Sequence, residues 1–110
     1  MDITETAHGA TIILTPVGRI DQHSAPAFQA KLMEAIGRGD TVLDFGGVQY
    51  ISSVGLRALM IGAKEIKASG RRLAVAALTP VVQEIFEISR FNMVLKVYDT
   101  LDAAVAGDQG

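Results

Sequence analysis

The stretch Tyr50-Ile51-Ser52-Ser53-Val54-Gly55-Leu56-Arg57 places two adjacent hydroxyls directly ahead of an amphipathic run. A serine at the head of a helix meets unpaired backbone N–H groups and the positive end of the helix dipole, which together favour negative charge. Such a serine can act as a cap and nothing more. It can also be a hydroxyl on which a phosphate is put on and taken off. A second polar stretch, Gly18-Arg19-Ile20-Asp21-Gln22-His23-Ser24, holds an acid, an imidazole and a hydroxyl close together. Those residue types form a hydrolytic triad when their side chains converge, which they rarely do from one short loop. Here Asp21, His23 and Ser24 read as a capped helix entrance with a solvated histidine.

Other chemistry is excluded by composition or by context. The chain has no cysteine, so disulfides, thiolate metal sites and a cysteine nucleophile are absent. His8 and His23 are its two histidines, too few for a multi-histidine metal site, and no cofactor is expected. Gly46-Gly47 is not followed by Gly-Lys-Ser/Thr, which removes a nucleoside-triphosphate P-loop. Asp44 ends an apolar segment, as the phosphoacceptor of a response-regulator receiver does, but that chemistry needs an acidic pair after the first strand. No such pair is present, and Asp44 is expected to bond the Gly46-Gly47 turn. Lysine plus arginine total 10 against 12 acidic residues, a net charge of -2, which argues against a nucleic-acid partner. Met1 to Thr6 lack the pattern of a signal peptide, and no apolar run approaches the ~18 residues of a membrane span. The expectation is a soluble, cytoplasmic protein with no membrane partner.

The elements that position these groups follow from patterning. Asp2 to Ala7, a turn at His8-Gly9 and Ala10 to Val17 read as a hairpin, with Pro16 near a strand end or on an edge. Ser24 and Pro26 open a helix with the apolar stripe Phe28, Leu32, Ala35 and Ile36. Thr41 to Phe45 is a buried strand, and the serine stretch joins it to a long helix that Gly70 ends. Leu73 to Ala77 is a third buried strand. Thr79-Pro80 opens a helix whose stripe is Val82, Ile85, Phe86 and Ser89. Val94 to Tyr98 is a last strand, and Thr100 caps a short helix to about Val105. This alternation predicts one α/β domain over residues 1–110, with 107–110 a frayed tail. Its sheet is mixed and largely parallel, of about five strands with an opening hairpin and about four helices.

At about 100° per residue, the long helix turns Leu56, Ala63 and Ile66 inward and Arg57, Ile61, Lys64, Glu65 and Ala68 outward. Ser53, Arg57, Ile61 and Lys64 then follow one another along one side as a docking stripe. Asp21 and Ser24 are expected to flank the same surface, because strand-to-helix loops gather at the carboxyl ends of parallel strands.

Three segments in order carry a resemblance: Gly18-Arg19-Ile20-Asp21, Leu43-Asp44-Phe45-Gly46-Gly47-Val48 and Tyr50 to Arg57. With Leu78-Thr79-Pro80-Val81-Val82-Gln83-Glu84-Ile85-Phe86 and Phe91, they resemble the STAS domain, and more closely the bacterial anti-sigma factor antagonists. The likeness runs from about Ile3 to Ala106. It implies a binding protein rather than an enzyme, one that binds an anti-sigma factor serine kinase and so frees the sigma factor. It also implies phosphorylation by that kinase and reversal by a serine phosphatase. The common family motif is Asp-Ser-(Ser/Thr)-Gly-Leu, with the first serine as acceptor. Laid on this chain, the acceptor falls on Ser53, while Ser52 stands where the aspartate usually is and Val54 takes the third position. Ser52 is therefore the alternative acceptor. Asp21, His23, Ser24, Ser52, Ser53, Gly55, Leu56, Arg57 and Ile61 are the implied partner-binding set. A constitutive, unphosphorylated STAS interaction module, in a signalling or lipid-transport assembly, is the alternative reading.

Overall fold

Three segments are apolar at consecutive positions, as strands covered on both faces must be. In the structure, a computed structural model that describes residues 1–107, they lie at the centre of one sheet. The strands are β1 (Asp2–His8), β2 (Thr11–Ile20), β3 (Thr41–Asp44), β4 (Val48–Ile51), β5 (Leu73–Ala76) and β6 (Lys96–Tyr98). The helices are α1 (Ala25–Ile36), α2 (Ser53–Ser69), α3 (Pro80–Ile88) and α4 (Leu101–Ala106), with a 3-10 turn at Phe91–Met93. The expected frayed tail lies, for 108–110, outside the described residues.

The sheet order is β1-β2-β3-β5-β6, and β4 pairs with β2 off that path. Only the β1–β2 hairpin is antiparallel; the β2–β3, β2–β4, β3–β5 and β5–β6 pairs are parallel. Alternate residues of one strand feed two cores. Ile12 and Leu14 of β2 join Leu43, Val75, Phe28, Leu32 and Phe86 in the main core under α1, α2 and α3. Ile13 joins Val42, Ala76 and Ala104 in a smaller core under α4.

The sheet has six strands because β4 forms where the sequence suggests a turn and a loop. Its four residues are too few to show a period, and only Val48 and Ile51 are buried. Its partner, β2, runs on to Ile20 through the expected polar connection. Ile12 to Leu14 pair with β3, whereas Gly18 to Ile20 pair with β4 after a register shift. Gly18 makes that change of partner possible, since its φ of 115° lies where side chains are disfavoured. Pro16 is buried inside β2 rather than at its end. It falls between the two parallel partners, so its missing N–H breaks neither ladder.

The inward face of α2 is turned from the expected one. Gly55, Ala58, Leu59, Gly62 and Ile66 are buried, while Leu56, Met60 and Ala63 are only partly so. A hydrophobic stripe gives glycine no weight, yet the glycines are where α2 comes closest to its neighbours. A Cβ on Gly62 would stand 2.7 Å from Leu32 Cδ2 of α1. In α3, Val82 and Phe86 are buried as expected, but Ser89 is exposed and its hydroxyl donates to Ile85 O at 2.7 Å. The last strand begins at Lys96, because Phe91 to Val94 are taken up by the 3-10 turn and its cap.

Gly55 packs against both parallel strands that meet at the serine stretch. A Cβ there would lie 2.6 Å from Ile51 Cγ1, 2.8 Å from Ile20 Cγ2 and 3.1 Å from Ile20 O. Overpacking costs about 1–3 kcal/mol and outweighs the ~1 kcal/mol helix propensity that alanine adds. Gly55→Ala is therefore expected to lower the urea midpoint with an unchanged m-value. An unchanged midpoint would show that the seam relaxes freely.

Candidate functional site

The site begins where two parallel strands end side by side. Ile20 pairs with Ile51, and the Ser52 N–H donates to Ile20 O at 2.9 Å. Ser52 is then the N-cap of α2. Its backbone is extended (φ -87°, ψ 175°), and its Oγ accepts from the Gly55 N–H at 3.3 Å. Ser52 is half-buried, whereas Ser53, the first helical residue, is exposed. Of the two adjacent hydroxyls, one is engaged in ending the strand and starting the helix, and the other faces outward.

The Asp21 loop folds around its own carboxylate. Asp21 Oδ1 accepts from the backbone N–H groups of His23 at 2.9 Å and Ser24 at 3.3 Å, with the Ser24 Oγ 3.5 Å away. Ser24 occupies the N-cap position of α1, but its hydroxyl does not cap the helix. It donates instead to Arg19 O at 2.7 Å and accepts from the Asp21 N–H at 3.0 Å. Thr79 behaves alike at the head of α3: its hydroxyl donates to Val48 O at 2.8 Å rather than capping. In both cases the hydroxyl ties a helix start to a neighbouring strand end. Asp44 Oδ1 accepts from the Gly46 N–H at 3.0 Å, the turn bond expected of it.

Asp21, Gln22, His23, Ser52, Ser53 and Val54 together line one open cleft of about 380 Å³. The Asp21 loop and the serines thus lie on the same edge of the sheet. Gln22 and Val54 are additions to the expected set; Val54, 44% exposed, stands beside Ser53 in the first turn of α2. An apolar residue outward in a first helical turn was the available sign. Gly55 is buried and supplies close packing rather than surface, and Leu56 is half-buried against the core. Arg57 is exposed, and Ile61, further along α2, is 37% exposed. The Arg19 guanidinium stacks on Tyr50 at 4.5 Å, which braces the two strand ends behind the cleft. Among the described residues, no group of three or more His, Asp or Glu side chains is placed to hold a metal ion. No described helix is long and apolar enough to cross a membrane.

The STAS domain model matches residues 2–104 of the chain. In sequence, the chain is 32% identical over 108 residues to BtrV of Bordetella bronchiseptica, assigned as an anti-sigma factor antagonist. That match covers 96% of this chain and 93% of the relative. In structure, it resembles an anti-sigma factor antagonist of Mycobacterium paratuberculosis, with a TM-score of 0.89 at 21% identity, over 99% of this chain and 94% of the other. It also shares the fold of SpoIIAA, an anti-sigma factor antagonist solved unphosphorylated and, from Bacillus, phosphorylated. Both forms give a TM-score of 0.72, at 16% and 18% identity, over 96% of this chain and 94% and 97% of theirs.

Asp21 is held below the usual aspartate range, chiefly by the His23 N–H, with the Ser24 N–H, the His23 imidazole and the Ser24 hydroxyl adding to it against desolvation. A carboxyl with a depressed folded-state pKa stabilises the fold above its unfolded value. That contribution is lost as pH falls through the folded value. The loop should therefore keep its shape at pH values where an ordinary aspartate has begun to protonate. A carboxyl-carbon NMR titration is expected to place the Asp21 midpoint below about 3.9, the free value. Ser24→Ala should move it upward. A midpoint at the free value in the unaltered protein would show that these bonds are not kept in solution.

Proposed function

The chain belongs to the STAS domain family, among the anti-sigma factor antagonists, and we propose that it works as a cytoplasmic partner switch controlled at Ser53. In this reading it binds an anti-sigma factor that is also a serine kinase, and binding frees the sigma factor. The kinase phosphorylates Ser53, a serine phosphatase restores it, and the chain is a substrate of both and not itself an enzyme. The observation that carries the reading is the exposed Ser53 at the head of α2, in one cleft with Asp21 and His23. Ser52 is the less accessible acceptor, since its oxygen already accepts from the Gly55 N–H.

A phosphate on Ser53 adds about -1.5 to -2 charges at the positive end of α2, where the fold tolerates them. Its effect falls on binding. A kinase pocket that accepts the neutral hydroxyl beside a nucleotide meets a dianion after transfer, and like-charge repulsion with steric overlap releases the complex. Arg57 and Ile61 extend the contact along the outward side of α2 beyond the cleft.

Incubation with the cognate kinase and ATP, followed by peptide mapping, tests the assignment. Label is expected on Ser53. Ser53→Ala should bind and stay unmodified, and Ser53→Asp should bind weakly, a carboxylate being an incomplete substitute for phosphate. Ser52→Ala should cost about 1 kcal/mol of stability through the lost cap, yet still accept phosphate on Ser53. Label on Ser52 alone would overturn the assignment. Label on neither serine would favour a constitutive interaction module.

Ile61→Glu probes the outer end of the same contact. Stability should change by no more than about 0.5 kcal/mol, as at ordinary surface positions. Kinase binding, measured calorimetrically, should weaken by more than about 1 kcal/mol. Unchanged affinity would confine the interface to the cleft and the first turns of α2.

A further inference from the structure

A groove lies at the other end of α2 from the serines, between its C-terminal half and the segment that leads into β6. Its cavity is about 560 Å³, larger than the serine cleft. Met60, Ala63, Ile66, Leu73, Val94 and Leu95 give it an apolar lining. Lys64 and Lys67 from α2 and Arg71 from the following loop form its charged rim; Arg72 and Lys96 also line it, but the Arg72 guanidinium is turned to Ala104 O of α4 and the Lys96 ammonium lies over the Tyr98 ring. Among the described residues, no acidic residue lines it. Three of the ten lysines and arginines of a chain with net charge -2 thus stand at the rim of one apolar groove.

One of the rim cations is fixed in place: Arg71 Nη1 donates to Ile36 O at 2.8 Å. The apolar surface also continues past the groove. Met93, at its edge, is 82% exposed. A small amphiphile would fill the cavity and leave this extension uncovered. A helical segment is about 10–12 Å across with its side chains and is wide enough to cover it as well. Methionine lines the groove at two positions, Met60 and Met93, and its side chain adapts to irregular apolar partners.

We propose that this groove docks an acidic amphipathic helix of a partner protein, with the apolar face of that helix on the floor and its Asp and Glu residues against the basic rim. The surface is separate from the switch. Ser53 and Lys67 are about 21 Å apart along the axis of α2, at ~1.5 Å per residue. Docking in the groove therefore does not require the Ser53 reading, and it should persist whether or not Ser53 carries phosphate.

The test uses a fluorescent synthetic peptide of roughly 18 residues, with leucines at i, i+3, i+4 and i+7 in each repeat and glutamates on the flanks. Its counterpart has lysine at every glutamate position. With the unaltered protein, amide NMR should show shifts at Met60, Ala63, Ile66 and Leu95 and none at Asp21 or Ser53. Affinity should fall as salt is raised. Lys64→Glu with Lys67→Glu should weaken binding at least ~10-fold, since like charges then meet across the interface. Met93→Glu, at a side chain that the fold leaves exposed, is a second variant and should also weaken it. Ser53→Ala and Ser53→Asp should bind the peptide equally. Equal binding of the lysine peptide, or shifts confined to the serine cleft, would overturn the proposal. So would occupancy of the groove by dodecanoate or by phosphatidylglycerol vesicles when the acidic peptide does not bind.

Discussion

The site depends on the seam between the end of β2 and the end of β4. Ile20 pairs with Ile51, and the Ser52 N–H closes the seam on Ile20 O at 2.9 Å. Both chains then turn into helices from the same point: β2 through the Asp21 loop into α1, and β4 directly into α2. One short stretch of parallel ladder therefore puts two helix entrances beside each other. Gly55 keeps α2 close to the seam, because a Cβ there would meet Ile51 and Ile20 together. The cleft containing Asp21, His23, Ser52 and Ser53 is the space left above this crowded junction.

The parts of this arrangement legible in the sequence are those that repeat. Consecutive apolar residues marked β3 and β5, the stripe Phe28, Leu32, Ala35 and Ile36 marked α1, and the glycine after Ser69 marked the end of α2. Gly70 has the positive φ that such an end requires, 75°. The strand β4 was not legible, because four residues with two inward side chains carry no period. The true inward face of α2 was obscured for a related reason. Gly55 and Gly62 are core positions occupied by an absence of side chain, and a count of apolar residues passes over them. Ser24 and Thr79 have cap-forming chemistry at cap positions, yet their hydroxyls reach strand carbonyls, Arg19 O five residues upstream and Val48 O of β4. The Thr79 acceptor is supplied by tertiary structure and has no trace in the local sequence.

Charge sorting follows from the same topology. The Asp21 loop and the serines stand at the carboxyl ends of the strands, and the basic groove stands at the opposite end of α2, where the chain enters β5 and β6. Along α2, Ser53 stands about 16 Å from Lys64 and about 21 Å from Lys67, at ~1.5 Å per residue. At physiological ionic strength the screening length is about 8 Å, so exposed charge added at one end is barely felt at the other. The nearly neutral total thus conceals two surfaces of different character on a single rigid element.

That separation bears on how a switch at Ser53 would operate. The charge it would add lies in the first turn of α2, where unpaired N–H groups and the helix dipole are local and act within about one turn. The cap beneath it is made by a different residue, Ser52, whose oxygen accepts from the Gly55 N–H. Modification of Ser53 would therefore leave intact the bond that begins the helix and the seam below it. With no structural element obliged to move, the modified and unmodified chains would present the same backbone. A partner would then distinguish them by the charge and bulk in the cleft alone.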